Sequence, residues 1–227
     1  MKIGLLQTGH VAEELQAENG NYPEIFNRFL SGKGLQLQNY AVLDGEFPTG
    51  PTDADGWLIT GSKFGAYEDL DWIAPLEELI RAIYASHRPM IGVCFGHQII
   101  AQALGGKVEK FEKGWSIGAQ TYDLDGKTYD LNAWHQDQVT RRPADAEVVG
   151  KTDFCENAAL LYGDRVFTIQ PHPEIDRTYL KGLLEVRAPG VVPESIRRDA
   201  ITTLDQKTDN TALAEIFALF FKEKRIA

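Results

Sequence analysis

The sequence predicts an α/β fold: an open, mostly parallel sheet with helices on both faces, then antiparallel strands and a C-terminal helical extension. Three observations carry this. Short apolar runs alternate with amphipathic stretches over the first half, the pattern of a covered parallel sheet. Short strand-like segments separated by turn residues occupy the second half. Pro193–Ala227 then returns to helical spacing.

Taken in order, Lys2–Gln7 (KIGLLQ) is an apolar run ending beside Thr8-Gly9, as a buried parallel strand would. Tyr22–Leu30 spaces its apolar residues helically, with Asn21 as N-cap and Gly32 as a stop. Strands are expected at Gln38–Leu43 and Trp57–Thr60, the latter running into Gly61-Ser62. Asp71–Ser86 reads as an amphipathic helix that tolerates Pro75 in its first turn. After Pro89 come a strand at Met90–Val93 and a helix from about Gly96 to Leu104, stopped by Gly105-Gly106. Further strands are expected at Ser116–Asp123, Lys127–Asn132, Glu147–Thr152, Ala159–Tyr162 and Val166–Gln170, with Asp125-Gly126 as a hairpin turn. Finally, Thr211–Lys224 places Leu213, Ile216, Phe217, Phe220 and Phe221 on one helical face. That stripe reads first as a docking face for the rest of the domain, second as a partner-binding helix. With no repeat, low-complexity tract or linker, one domain over residues 1–227 is expected, divided into a core (1–184) and an extension (185–227).

Composition narrows the function. Of 227 residues, 43% are hydrophobic and 25% charged, which suits a globular protein with a real core. The formal net charge of −10 argues against a nucleic-acid partner, which needs a basic face. The pairs Arg141-Arg142 and Arg197-Arg198 are isolated and read as solvated surface. No apolar run approaches the ~20 residues that span a bilayer, and MKIGLLQTGHVAEE turns polar too soon for a signal peptide. A cytoplasmic location is therefore expected. The two cysteines, Cys94 and Cys155, form neither a disulfide framework nor a CxxC pair.

Cys94 stands between two glycines, in Gly92-Val93-Cys94-Phe95-Gly96, after an apolar strand and before a helix. This is the pattern of a nucleophile elbow, with cysteine in the serine position. A tight strand-to-helix turn lifts the central side chain clear, and small neighbours let the turn close. The free N–H groups of the helix start favour negative charge there, and the Phe95 N–H points to where an oxyanion would develop. On the elbow alone a second reading stands level: a small buried cysteine in a core turn.

A nucleophile needs a base. Of the five histidines, His87 ends a helix before Arg88-Pro89 and reads as surface, while His97 lies on the helix start and reads as packing or capping. His172 sits in Gln170-Pro171-His172-Pro173-Glu174, at the end of an apolar strand. Pro173 biases His172 towards an extended backbone, so Glu174, two residues on, projects to the same side and reaches one ring nitrogen. Cys94, His172 and Glu174 thus fit the roles of nucleophile, base and orienter. A rigid proline turn with a solvated histidine is the plainer reading of PHPE alone; the two motifs together favour catalysis. A metal site is not expected, because only His172 and Glu174 cluster.

GVCFGHQ (Gly92–Gln98), QPHPE (Gln170–Glu174) and ITGSKFGAYEDLDWI (Ile59–Ile73) together resemble the class I, or triad, glutamine amidotransferases, from about Lys2 to Leu184. GKVEKFEKGWSIGAQ (Gly106–Gln120) and WHQDQV (Trp134–Val139) are similar to the stand-alone set near the glutaminase domain of GMP synthase, which includes plant γ-glutamyl peptidases. The resemblance implies a flavodoxin-like sheet and hydrolysis of a γ-glutamyl amide through a thioester on Cys94, with no cofactor. It implies that His172 protonates the leaving nitrogen and activates water while Glu174 holds the ring. It assigns one oxyanion donor to Phe95 and the other to the Gly61-Ser62 turn. Gln98, His135 and Gln136 match the positions that contact the substrate's α-amino acid end. Ser62 departs from the family's second glycine, and Pro171 replaces a residue that is often aromatic.

Most such enzymes pass ammonia to a synthetase, yet no GxxxxGK[ST] loop occurs here. Three functions follow as alternatives: a free-standing hydrolase of glutamine or γ-glutamyl compounds, a glutaminase subunit with a synthetase partner, and a non-catalytic binding or regulatory member. The intact Cys94, His172 and Glu174 favour the first two.

Overall fold

The computed structural model describes residues 1–227. In chain order the strands and helices are β1 (Lys2–Leu6), α1 (Glu13–Asn19), α2 (Tyr22–Phe29), β2 (Gln36–Tyr40), β3 (Gly56–Ile59), α3 (Ile73–Ala85), β4 (Met90–Val93) and α4 (Phe95–Ala103). The second half holds β5 (Lys107–Lys110), β6 (Ser116–Leu124), β7 (Lys127–His135), β8 (Asp137–Arg141), β9 (Glu147–Lys151), β10 (Ala159–Tyr162) and β11 (Val166–Ile169). Helices α5 (Arg177–Gly182), α6 (Glu194–Thr202) and α7 (Asn210–Glu223) complete the chain.

The main sheet runs β2-β1-β3-β4-β11-β10-β9-β6-β7. Its first five strands are parallel, in the 2-1-3-4-5 order of flavodoxin-like folds. From β10 onward the pairing is antiparallel. Side chains alternate across the sheet, so Leu5 enters one core with Phe26, Val93, Phe167 and Phe217, whereas Leu6 enters the other with Ile59, Ile80 and Ile100. Helices α3 and α4 seal the second core; α2 and α7 seal the first. Phe217 of α7 packs edge-on to Phe29 and Phe167, with ring centroids 5.5 and 6.0 Å apart. The apolar stripe of the last helix is thus buried against this core.

Local signals account for most boundaries. Asn21 caps α2 in a full capping box with Glu24. Asp125 and Gly126 both take positive φ, as the tight β6–β7 hairpin requires. Some elements depart from expectation. The second strand lies at Gln36–Tyr40 rather than Gln38–Leu43, because Val42–Asp44 curl into a 3₁₀ turn closed by left-handed Gly45. β7 continues to His135, three residues past the expected end. Three elements, α1, β5 and β8, carry too few apolar residues for a sequence signal, and β5 and β8 pair only with each other. Helix α5 and the π-helical turn at Leu183–Arg187 hold apolar residues but, at 6 and 5 residues, are too short to show helical spacing.

Candidate active site

Three adjacent parallel strands, β3, β4 and β11, deliver the Gly61-Ser62 turn, Cys94 and the QPHPE segment to one end of the sheet. The register places Ile59 beside Gly92 and Val93 beside Ile169, so the residues just beyond each strand converge. Open α/β sheets present their ligand crevices at this carboxyl edge.

Cys94 has φ 51° and ψ −103°, in the positive-φ region that side chains avoid. The flanking glycines make this turn possible. A methyl on Gly92 would lie 2.5 Å from the Gly96 carbonyl, and one on Gly96 would lie 2.3 Å from the Ile59 carbonyl oxygen. The strand-to-helix turn is therefore closed backbone on backbone. The Cys94 N–H donates to Ile169 O at 2.9 Å and the Gly96 N–H to Thr60 O at 3.1 Å. Phe95 opens α4, so its N–H has no carbonyl one turn earlier to bond.

His172 and Glu174 are buried side by side, with Nδ1 and Oε1 2.7 Å apart. Cys94 lies against the same ring. Burial alone would push His172 down, but the facing charges of Glu174 and Cys94 outweigh it and hold the imidazole well above its usual value. The His172 N–H donates to Asn132 O at 2.8 Å, and the Asn132 side chain donates to Ile175 O, pinning the segment to β7. This arrangement can hold a thiolate beside an imidazolium and pass a proton between them.

The Gly61-Ser62 turn borders both His172 and the Cys94 cleft. Ser62 has no positive φ, so serine in place of the family's second glycine costs no backbone strain. Its Oγ accepts from the Phe64 N–H. Gly61 is confined by neighbours instead: a methyl there would stand 3.0 Å from His172 Cε1. The hydroxyls of Thr8 and Thr60 both donate to Gly61 O, at 3.1 and 3.0 Å.

Cys94 opens into a cleft of about 300 Å³ that Gln98, His135, Gln136 and Asp137 also line. Gln98 Nε2 donates to Asp137 O and Gln170 Oε1, at 2.9 and 3.0 Å, so its amide is held in place. His135 is pushed down to about 3, by burial first and then by His172, and is neutral. It shapes the cleft and is no second base. His97 is also lowered to about 3, chiefly by burial; its Nδ1 meets Thr168 Oγ1 at 2.8 Å in the core. No cluster of three or more His, Cys, Asp or Glu is disposed to hold a metal.

Several neighbours carried no sequence signal. Tyr22 of α2 and Tyr179 of α5 lie beside each other and Glu174, and burial first, with the Glu174 charge among the lesser causes, raises both phenols. Lys63 and Arg187 line the cleft walls. Arg187 comes from the π-helical turn after α5, far in sequence from Lys63 and Cys94.

The fold and this arrangement define a class: an α/β protein with a cysteine elbow and a histidine–carboxylate pair at the carboxyl edge of its sheet. The family model for glutamine amidotransferase class-I matches residues 47–184, and the chain belongs to that family. It is 29% identical over 204 residues to γ-glutamyl peptidase 4 of Arabidopsis thaliana, covering 82% of this chain and 81% of that protein. It is 33% identical over 144 residues to the glutamine-hydrolysing GMP synthase of an Azoarcus species, covering 56% of this chain and 26% of the synthase. A solved glutamine amidotransferase from Thermotoga maritima has the same fold, with TM-score 0.76 and 21% identity over 99% of this chain and 97% of that one. No helix is long and apolar enough to cross a membrane.

Proposed function

We propose that this protein hydrolyses a γ-glutamyl amide, of glutamine or a γ-glutamyl compound, through a thioester on Cys94. The carrying observation is Cys94 raised on its elbow against His172, with Glu174 2.7 Å from the far ring nitrogen. The Cys94 thiolate attacks the amide carbon. The oxyanion forms between the Phe95 N–H and the Gly61-Ser62 turn, where fixed donors stabilise charge as it develops. His172 gives its proton to the departing nitrogen, and the C–N bond breaks to leave the γ-glutamyl thioester. Water then attacks the thioester, His172 takes the water's proton, and glutamate leaves as the thiolate returns. Glu174 keeps the ring oriented and stabilises its positive form. The γ-glutamyl end fits the cleft lined by Gln98, His135 and Gln136. Two free, buried cysteines suit a reducing, cytoplasmic compartment.

A second reading is a glutaminase that supplies ammonia to a separate synthetase partner. The GMP synthase relatives favour it, since the match takes up only 26% of the Azoarcus synthase. One assay separates the two: glutamate and ammonia release by the purified protein on glutamine and on γ-glutamyl dipeptides, beside Cys94→Ala. Dipeptide turnover that vanishes in the variant supports the hydrolase. No turnover of any compound, with Cys94 still readily alkylated, moves the conclusion to the partner-dependent glutaminase.

A further inference from the structure

The space on the two sides of the Cys94–His172 pair is unequal. The Cys94 cleft measures about 300 Å³, whereas the cleft on the His172 side, reaching α1 and α5, measures about 700 Å³. The leaving nitrogen takes its proton from His172, so the larger cleft is the side on which the leaving group departs. Ammonia is about the size of water, whose share of liquid volume is ~30 Å³. This open cleft is far larger than ammonia needs and is ample for an amino acid or dipeptide.

Two cations stand where the clefts meet. Lys63 and Arg187 line both spaces. Neither forms an ion pair within the chain. Lys63 Nζ rests 5.1 Å from the Phe64 ring centroid, and Arg187 extends from the π-helical turn over the cleft. The carboxylates on the larger side, Glu13 and Glu14, line only that space and stay away from the junction, as does His10.

We propose that Lys63 and Arg187 clamp a carboxylate on the leaving group, so that the preferred substrates are γ-glutamyl amino acids or peptides with a free C-terminal carboxylate rather than glutamine. This rests on the hydrolase reading above and assigns its substrate class. A guanidinium fork and an ammonium that line the same two clefts and form no ion pair of their own suit a carboxylate in charge and hydrogen bonding. Glu13 and Glu14 repel the same group from the outer region and so direct it to the junction. The C-terminal extension then has a part in selectivity, because it carries one of the two cations.

The test compares γ-glutamylalanine with γ-glutamylalaninamide, which differ only in the leaving group's carboxylate. The wild-type protein is expected to favour the free acid by about tenfold in kcat/KM, carried mainly by KM, a difference typical of a well-placed charge contact. In Arg187→Gln that preference falls several-fold, and in the double variant with Lys63→Gln it falls to about unity, whatever happens to absolute rates. Calorimetric binding of both compounds to Cys94→Ala reads the same preference without turnover. If wild type hydrolyses acid and amide equally well, the clamp is wrong and the hydrolase reading stands. If Arg187→Gln weakens both compounds by the same factor, the cations serve the γ-glutamyl α-carboxylate instead, and the proposal is overturned. If neither compound is bound or cleaved, the hydrolase reading itself fails and takes the clamp with it.

Discussion

Gly61 and His172 are in contact across the site: a Cβ on Gly61 would lie 3.0 Å from the imidazole Cε1 and 3.8 Å from Nδ1. The turn proposed to complete the oxyanion site is also the wall that the His172 ring faces. Gly61→Ala should tilt the ring by a few tenths of an ångström and leave the core intact. We expect kcat to fall about tenfold to a hundredfold, since small misplacements at a reacting centre are costly. The Tm should change little. A variant with full kcat would show that the ring is not held from this side.

Cys94 stores backbone strain at φ 51°, a conformation that costs a non-glycine residue about 1–3 kcal/mol. Cys94→Gly should therefore be more stable than Cys94→Ala, by about 1 kcal/mol, although both are inactive. Denaturant unfolding of the two variants settles the sign. Equal midpoints would mean that the elbow is not strained.

Removing the orienter should do less than removing the nucleophile. Glu174→Gln leaves Cys94 and the oxyanion donors in place but deprives His172 of the carboxylate that raises it. Turnover should drop by about 10²–10⁴-fold, short of the complete loss in Cys94→Ala. Equal loss in the two variants would contradict these roles.

The two thiols should differ in reactivity. Burial pushes Cys155 up to about 12, and the thiolate is the reacting form. Alkylation by iodoacetamide at neutral pH, mapped by mass spectrometry, should label Cys94 first in the native protein. Labelling of Cys155 first would refute the elbow as the source of reactivity.

Acid should destabilise the fold before the carboxylates titrate. His97 and His135 are lowered to about 3 by burial, so between about pH 6.5 and 3 the unfolded chain binds a proton at each that the native state does not. Stability therefore falls as pH falls through this window. From pH 6.5 to 5 the loss is about 2 kcal/mol per histidine. His172 is raised, so its contribution has the opposite sign, lies near and above pH 6.5, and fades at lower pH where both states are protonated. His97→Gln should remove about one proton from the pH dependence of the unfolding free energy. An unchanged slope would exclude His97 as a source.

The sequence by itself determined the outline of the fold and the local motifs on which the proposed chemistry rests. Strand Met90–Val93, the glycines around Cys94 and the spacing of His172 and Glu174 are local features, because an elbow or an extended i, i+2 pair depends on only a few neighbouring residues. The alternation of apolar runs and amphipathic helices predicted the parallel half-sheet for the same reason. Tertiary structure decided what depends on contacts distant in sequence. β5 and β8 are polar and exist because each is the other's pairing partner. The Gly61 turn is positioned by Thr8 and His172, which follow two other strands, β1 and β11, at the same end of the sheet. Tyr22 and Tyr179 meet beside Glu174 only after α2 and α5 have packed. Arg187 gives no signal at its own position; chain folding alone brings it and Lys63 to the walls of the same clefts. The cysteine elbow and the His172–Glu174 pair can be read locally because backbone geometry sets them, whereas the walls of the cleft are set by packing between segments far apart in the chain.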